Sequence, residues 1–147
     1  MKPLLIACAL LIPVWIIGCG NGLSDDFGKS GRYAFALVNK ATEHETVLER
    51  DVTTAFARAE ADAKSDADKK TLDLLKKYLE AFKYNDESPA GNNAVKVCRK
   101  ALTHVFEDNA SPEKPADECL QAKAAYGEAI SKRLEEEDKK KSASPQK

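Results

Sequence analysis

The stretch VKVCRKALTHVFEDNASPEKPADECL, residues 95–120, decides how this chain folds. Val95, Cys98, Leu102, Val105 and Phe106 recur at helical spacing, the pattern of a helix that buries one face. Asn109, Ala110, Ser111, Pro112 and Pro115 then break the pattern, because proline has no N–H to donate and Asn and Ser favour turns. A second helical pattern follows and carries Cys119. Cys98 and Cys119 stand equally far from the intervening turn. In an antiparallel helical hairpin they are therefore level with each other.

Working outward, the last helix presents Cys119, Leu120, Tyr126, Ile130 and Leu134 as its inner face before the charged run Glu135 to Lys141. Residues 139–147 read as a disordered tail, and the six cations Lys132, Arg133, Lys139, Lys140, Lys141 and Lys147 offer contact with anionic phospholipid or cell-wall polymer as a second reading. Towards the N-terminus, residues 85–92 form a turn by composition. Before it, Ser65 and Asp68 cap a helix reaching about Tyr84, with Leu72, Leu75, Tyr78, Leu79 and Phe82 inward. Residues 32–64 contain no Pro or Gly, and Ala34, Val38, Ala41, Leu48, Val52, Ala55 and Ala59 form a seam when Glu45 is its polar member. Leu37, Val47 and Phe56 widen it. This segment reads as one helix of up to about 50 Å, with Thr42 and Glu45 spaced like a capping box that marks a break near Asn39. No strand-like alternation occurs. The fold class is all-α, an antiparallel bundle of three or four helices over residues 32–138.

The 147 residues leave room for one domain, and 23 basic against 24 acidic side chains remove the charge excess that nucleic acid binding needs. His44 and His104 belong to no metal-binding motif, and no GxSxG elbow marks a nucleophile. Glu43, Glu45, Glu49 and Asp51 form a solvated helix face beside Arg50 rather than an acid and base pair. No catalytic, metal or cofactor residue is expected. Most aromatic residues fall on the apolar stripes; Tyr33, Phe35 and Tyr84 do not, and they are the candidates for an exposed patch that meets a partner.

The N-terminus carries the most specific signal. Lys2 precedes an apolar run from Leu4 to Ile17, which as a helix covers only about 21 Å and contains Pro13, so it fits an export signal better than a membrane span. Ile16, Ile17, Gly18 and Cys19 then resemble the lipobox of bacterial lipoproteins. The resemblance implies cleavage after Gly18, lipid on the Cys19 thiol, and palmitate or a similar acyl group on the new amino terminus. Two or more acyl chains give stable membrane attachment. Gly20 stands where an Asp marks inner-membrane retention in enteric-type bacteria, so the resemblance points to the outer membrane of a Gram-negative cell, with the domain in the periplasm or at the surface. Ordinary cleavage and release as a soluble protein is the alternative. Residues 19–31, with Gly20, Gly22, Gly28 and Gly31, read as a flexible tether that holds the domain roughly 20 Å from the lipid.

Export removes Cys8 and lipid occupies Cys19, which leaves Cys98 and Cys119 as an even pair in an oxidising compartment. A disulfide is expected; reactive or metal-binding thiols and two buried free thiols are the rivals. The sequence thus describes a lipid-anchored, non-catalytic helical module of a bacterial envelope that interacts with a protein partner, or else a bundle that encloses a small apolar ligand or haem. Trp15 is the chain's single tryptophan and lies in the signal. Mature protein taken from the envelope should therefore emit tyrosine fluorescence alone, and tryptophan emission would show that the signal stays attached.

Overall fold

The computed structural model describes residues 20–144. Five helices follow one another: α1 (Asp25–Thr42), α2 (Glu49–Asp62), α3 (Asp66–Lys83), α4 (Pro89–Phe106) and α5 (Glu113–Ala143). They run alternately up and down, so the starts of α1, α3 and α5 share one end with the finishes of α2 and α4. Hydrogen bonds define that end: Ser24 to Asp68, Asn21 to Val105, and Lys70 to Glu113.

The core forms where the apolar faces of α1, α3, α4 and α5 converge. Phe27, Val38, Leu74, Leu75, Tyr78, Leu102 and Val105 are wholly buried there. The Phe35 ring stands 5.9 Å from Tyr78 and 5.7 Å from Phe106, centroid to centroid, tilted to both. Such pairs add about 1 kcal/mol each beyond their buried area. The buried Tyr78 hydroxyl donates to Asn39 Oδ1 at 2.7 Å. Gly31 permits this packing: a Cβ there would lie 3.0 Å from the Phe106 ring.

The hairpin of α4 and α5 is the most closely packed pair. It brings Cys98 and Cys119 to disulfide-bonding distance, their Cα atoms 4.5 Å apart and both residues buried. Closing a loop of 21 residues stabilises the fold by about 3 kcal/mol in the chain-entropy account. At the other end of the hairpin, Tyr126 donates its hydroxyl to the Tyr84 carbonyl at 2.8 Å and accepts from the Asp86 N–H at 3.2 Å. Hydrogen bonds from Ser88 and Arg133 hold the Asp86 carboxyl well below the usual carboxylate range.

The segment 32–64 is two helices. α1 stops at Thr42, whose hydroxyl turns back to the Asn39 carbonyl at 2.7 Å, and His44 follows with φ of 63°. Thr42 and Glu45 form no capping box; α2 starts after Leu48 without a side-chain cap. The two halves of the expected seam fold back on each other: α1 packs on α2, and Ala34 and Val38 in the one and Ala55 and Ala59 in the other are all buried. Residues 20–31 are not a tether. α1 begins at Asp25, capped by Ser24, and Phe27 is fully buried. At the C-terminus the helix passes through the expected tail as far as Ala143, and Leu120 and Leu134 lie about half exposed rather than inward.

Asp68 ties these pieces together. It is fully buried, and its carboxylate accepts from Ser24 N–H (2.9 Å), Ser24 Oγ (2.8 Å), Lys64 N–H (3.1 Å) and Ser65 N–H (3.0 Å). Ser65 Oγ in turn accepts from the Asp68 N–H at 3.0 Å, completing the capping box of α3. Burial raises the carboxyl's pKa, but the hydrogen bonds from Ser24, Ser65 and Lys64 outweigh it and hold the value below that of a free aspartate. A depressed folded pKa adds stability above the unfolded pKa of 3.8 and loses it as pH falls through the folded value. Asp68→Asn should lower the unfolding free energy at neutral pH by about 2–3 kcal/mol, since a donor replaces an acceptor facing several donors. In urea titrations the deficit should shrink near pH 3; an equal deficit at both pH values would show that the charge contributes nothing.

Candidate functional site

α2 packs chiefly against α1 and only sparsely against α3. It has 14 residues against the 18 of α1 and α3, and Ala55 and Ala59 let it approach α1 closely. Its other apolar positions, Val52 and Phe56, point towards Leu79 and Phe82 of α3 without being covered by them. The result is an apolar cleft of about 560 Å³ between α1, α2 and α3. Val38, Val47, Val52, Phe56, Leu79 and Phe82 supply most of its walls. That volume lies within the roughly 300–1,000 Å³ usual for small-molecule sites.

Two ion pairs cross the cleft. Lys76 Nζ lies 3.1 Å from Glu60 Oε1, and Lys83 Nζ lies 3.8 Å from Glu49 Oε1. All four side chains are largely exposed, so each pair contributes at most about 1 kcal/mol and weakens with salt. The bridges set the separation of α2 and α3 without locking it. Lys83, Glu49 and Glu60 belong to the lining itself, which with Thr53 places one cation, two anions and a hydroxyl around a mainly apolar space.

A second, larger hollow of about 660 Å³ adjoins the cleft at Phe82, and its lining is mixed, Phe82 and Val95 beside polar and charged groups such as His44, Glu87, Lys96 and Arg99. It is less apolar than the cleft between α2 and α3. Elsewhere the titratable candidates are dispersed. His104 Nδ1 pairs with Asp108 Oδ2 at 2.6 Å, and His44 sits in the α1–α2 turn. Glu43 pairs with Arg99 at 2.6 Å and Asp51 with Arg50 at 3.5 Å. Among the described residues no three His, Cys, Asp or Glu side chains are grouped to hold a metal ion. Compared with known proteins, the chain matches no family model, no curated protein and no solved structure.

The residues singled out from sequence fare differently. Cys98 and Cys119 come together as described, in the core and away from the cleft. Cys19, with the apolar run before it, lies outside the described residues, and no described helix is long and apolar enough to cross a membrane. The aromatic patch does not form: Phe35 is buried in the ring cluster, Tyr33 is exposed among α1 and α2 residues such as Lys29 and Arg58, and Tyr84 is exposed at the opposite end. The cleft residues Val52, Phe56, Leu79 and Phe82 are all on the apolar stripes of the sequence. Periodicity marked them as inward-facing, which is a correct local statement; whether a neighbouring helix fills the space is not a local property.

Proposed function

We propose that this chain is a lipid-anchored, non-catalytic helical module of a bacterial envelope, held to the membrane through Cys19, and that it works by binding in the cleft between α2 and α3. The lipobox resemblance supports the anchor. The cleft, the most apolar of the hollows and open to solvent, carries the binding reading. A slender guest enters without parting the Glu49–Lys83 and Glu60–Lys76 pairs, whereas a helix of about 10–12 Å diameter would have to separate them. An acyl chain fits that description. Lys83, whose carboxylate partner stands 3.8 Å away, is the cation for an acidic head group. The class of guest is thus a single-chain fatty acid or a closely similar amphiphile.

A second reading, a module for protein interaction, draws on α5. From residue 131 to its end the side chains of this helix are exposed, Arg133 reaching Asp86 at 2.8 Å, and Leu134 is half exposed with no described helix against it. Such a projecting helix suits an envelope protein partner.

A fluorescent fatty acid added to the mature protein should bind saturably, one per chain. Val52→Asp, which puts a carboxylate in the wall, should weaken binding at least about tenfold, a loss of about 1.4 kcal/mol. Lys83→Gln should cost less and should matter only for acidic probes. Absence of binding, together with crosslinks from residues 131–143 to an envelope protein, would favour the second reading. Cys19→Ala should abolish labelling by a fatty-acid precursor in cells, and retained labelling would sink the anchor.

A further inference from the structure

We propose that the bundle stands directly on the lipid headgroups, with the start of α1 and the α4–α5 turn facing the bilayer, instead of hanging from a flexible leader. This rests on the lipid anchor at Cys19. The observation behind it is that the chain is fixed almost from that residue onward. Asn21 is buried; its Nδ2 donates to the Val105 carbonyl at 2.6 Å and its backbone N–H to Asn109 Oδ1 at 3.3 Å. Gly22 takes a φ of 74°, its carbonyl accepts from Ser65 Oγ at 3.3 Å, and a Cβ there would lie 3.3 Å from Ala67. Ser24 is held by Asp68 through two hydrogen bonds.

Covalent geometry then limits the reach of the anchor. Two Cα steps of about 3.8 Å separate Cys19 from Asn21, so at most about 8 Å lies between the lipidated residue and a buried part of the bundle. The polar layer on each side of a bilayer is itself about 5–8 Å thick. An acylated Cys19 at the base of that layer leaves Asn21 at its outer surface. There is no length over which the domain can float free.

The surface brought down is suited to zwitterionic headgroups. Asp25, Asp26 and Asp66 are exposed at this end alongside Lys29, Arg32 and Lys114, so both the phosphate and the ammonium of a phosphatidylcholine or phosphatidylethanolamine headgroup find opposite charge. No excess of cations calls for anionic lipid. The opposite end, with Tyr84, Asp86 and Ser88, lies one 18-residue helix away, about 27 Å.

The test uses the lipid-modified full chain, its modification verified by mass, inserted into phosphatidylcholine nanodiscs with a fraction of spin-labelled headgroups. Amide signals of residues 22–29 and 107–114 should lose most of their intensity, whereas those of residues 84–91 should keep theirs. Inserting twelve Gly and Ser residues between Gly20 and Asn21 should restore the lost signals while the lipid stays on. Weak or equal attenuation at both ends of a chain that carries its lipid would overturn the upright seat and leave the anchor standing. Attenuation that persists after the insertion would overturn the short-anchor account. A mature chain of unmodified mass would refute the anchor itself.

Discussion

Asp68 keeps a charge where no solvent reaches it and, among the described residues, no cation pairs with it. Burying a carboxylate costs several kcal/mol unless its oxygens are satisfied, and here four N–H and O–H groups satisfy them. The donors come from the leader to α1, the α2–α3 turn and the start of α3. Two helix N-termini therefore converge on one negative charge, and their positive dipole ends favour it further. Placing Ser24 beside Asp68 sets where α1 begins, what face it turns inward, and how little chain is left between the bundle and Cys19.

The same constraint accounts for the cleft. With the starts of α1 and α3 fixed side by side, α2 must return the chain from the far end to Ser65. It does so with 14 residues where its neighbours have 18, about 21 Å of helix against about 27 Å. Ala55 and Ala59 draw it onto α1, which takes Val52 and Phe56 out of reach of a full contact with α3. What remains between α2 and α3 is bridged by exposed ion pairs that contribute little. α2 thus buries only Ala55 and Ala59, fewer apolar side chains than α1, α3 or α4, and the wall it gives the cleft is the less densely packed one.

Much of this was legible in the residues, and the boundary between legible and hidden follows sequence distance. The capping box of Ser65 and Asp68, the turn at Asn109 to Pro112, and the level placement of Cys98 and Cys119 are short-range signals, and all of them appear in the fold, though Pro115 falls in the first turn of α5 instead of in the break. Asp68 as a link to Ser24 does not show in the sequence, because the pair is 44 positions apart. The glycines of residues 20–31 read as flexibility, yet Gly31 is required by the Phe106 ring, a contact between helices that composition cannot report. Ser24 followed by Asp25 and Asp26 is in fact a helix start with an acidic first turn, and that signal outweighs Gly28 and Gly31 once Phe27 has a core to enter. Leu120 and Leu134 err in the other direction. Their spacing on the helix is apolar, but among the described residues no further helix covers them.

The length of α5 gives the upright seat a consequence for the basic C-terminus. α5 has 31 residues, about 46 Å of helix, and starts at the end nearest Cys19. Glu135, Glu136 and Glu137 stand four residues before Lys139, Lys140 and Lys141, the favoured order for helical pairs, which together stabilise an unsupported helix by about 1 kcal/mol. The lysines also lie at the negative end of the helix dipole. This explains why the helix runs on past the bundle to Ala143. On an upright protein these cations point away from the anchoring membrane by several times the Debye length of about 8 Å at physiological salt. In the proposed seat they lie too far from the anchoring leaflet to feel its headgroups. Any anionic surface they meet must lie on the far side of the domain, where a cell-wall polymer or an acidic protein face could reach them.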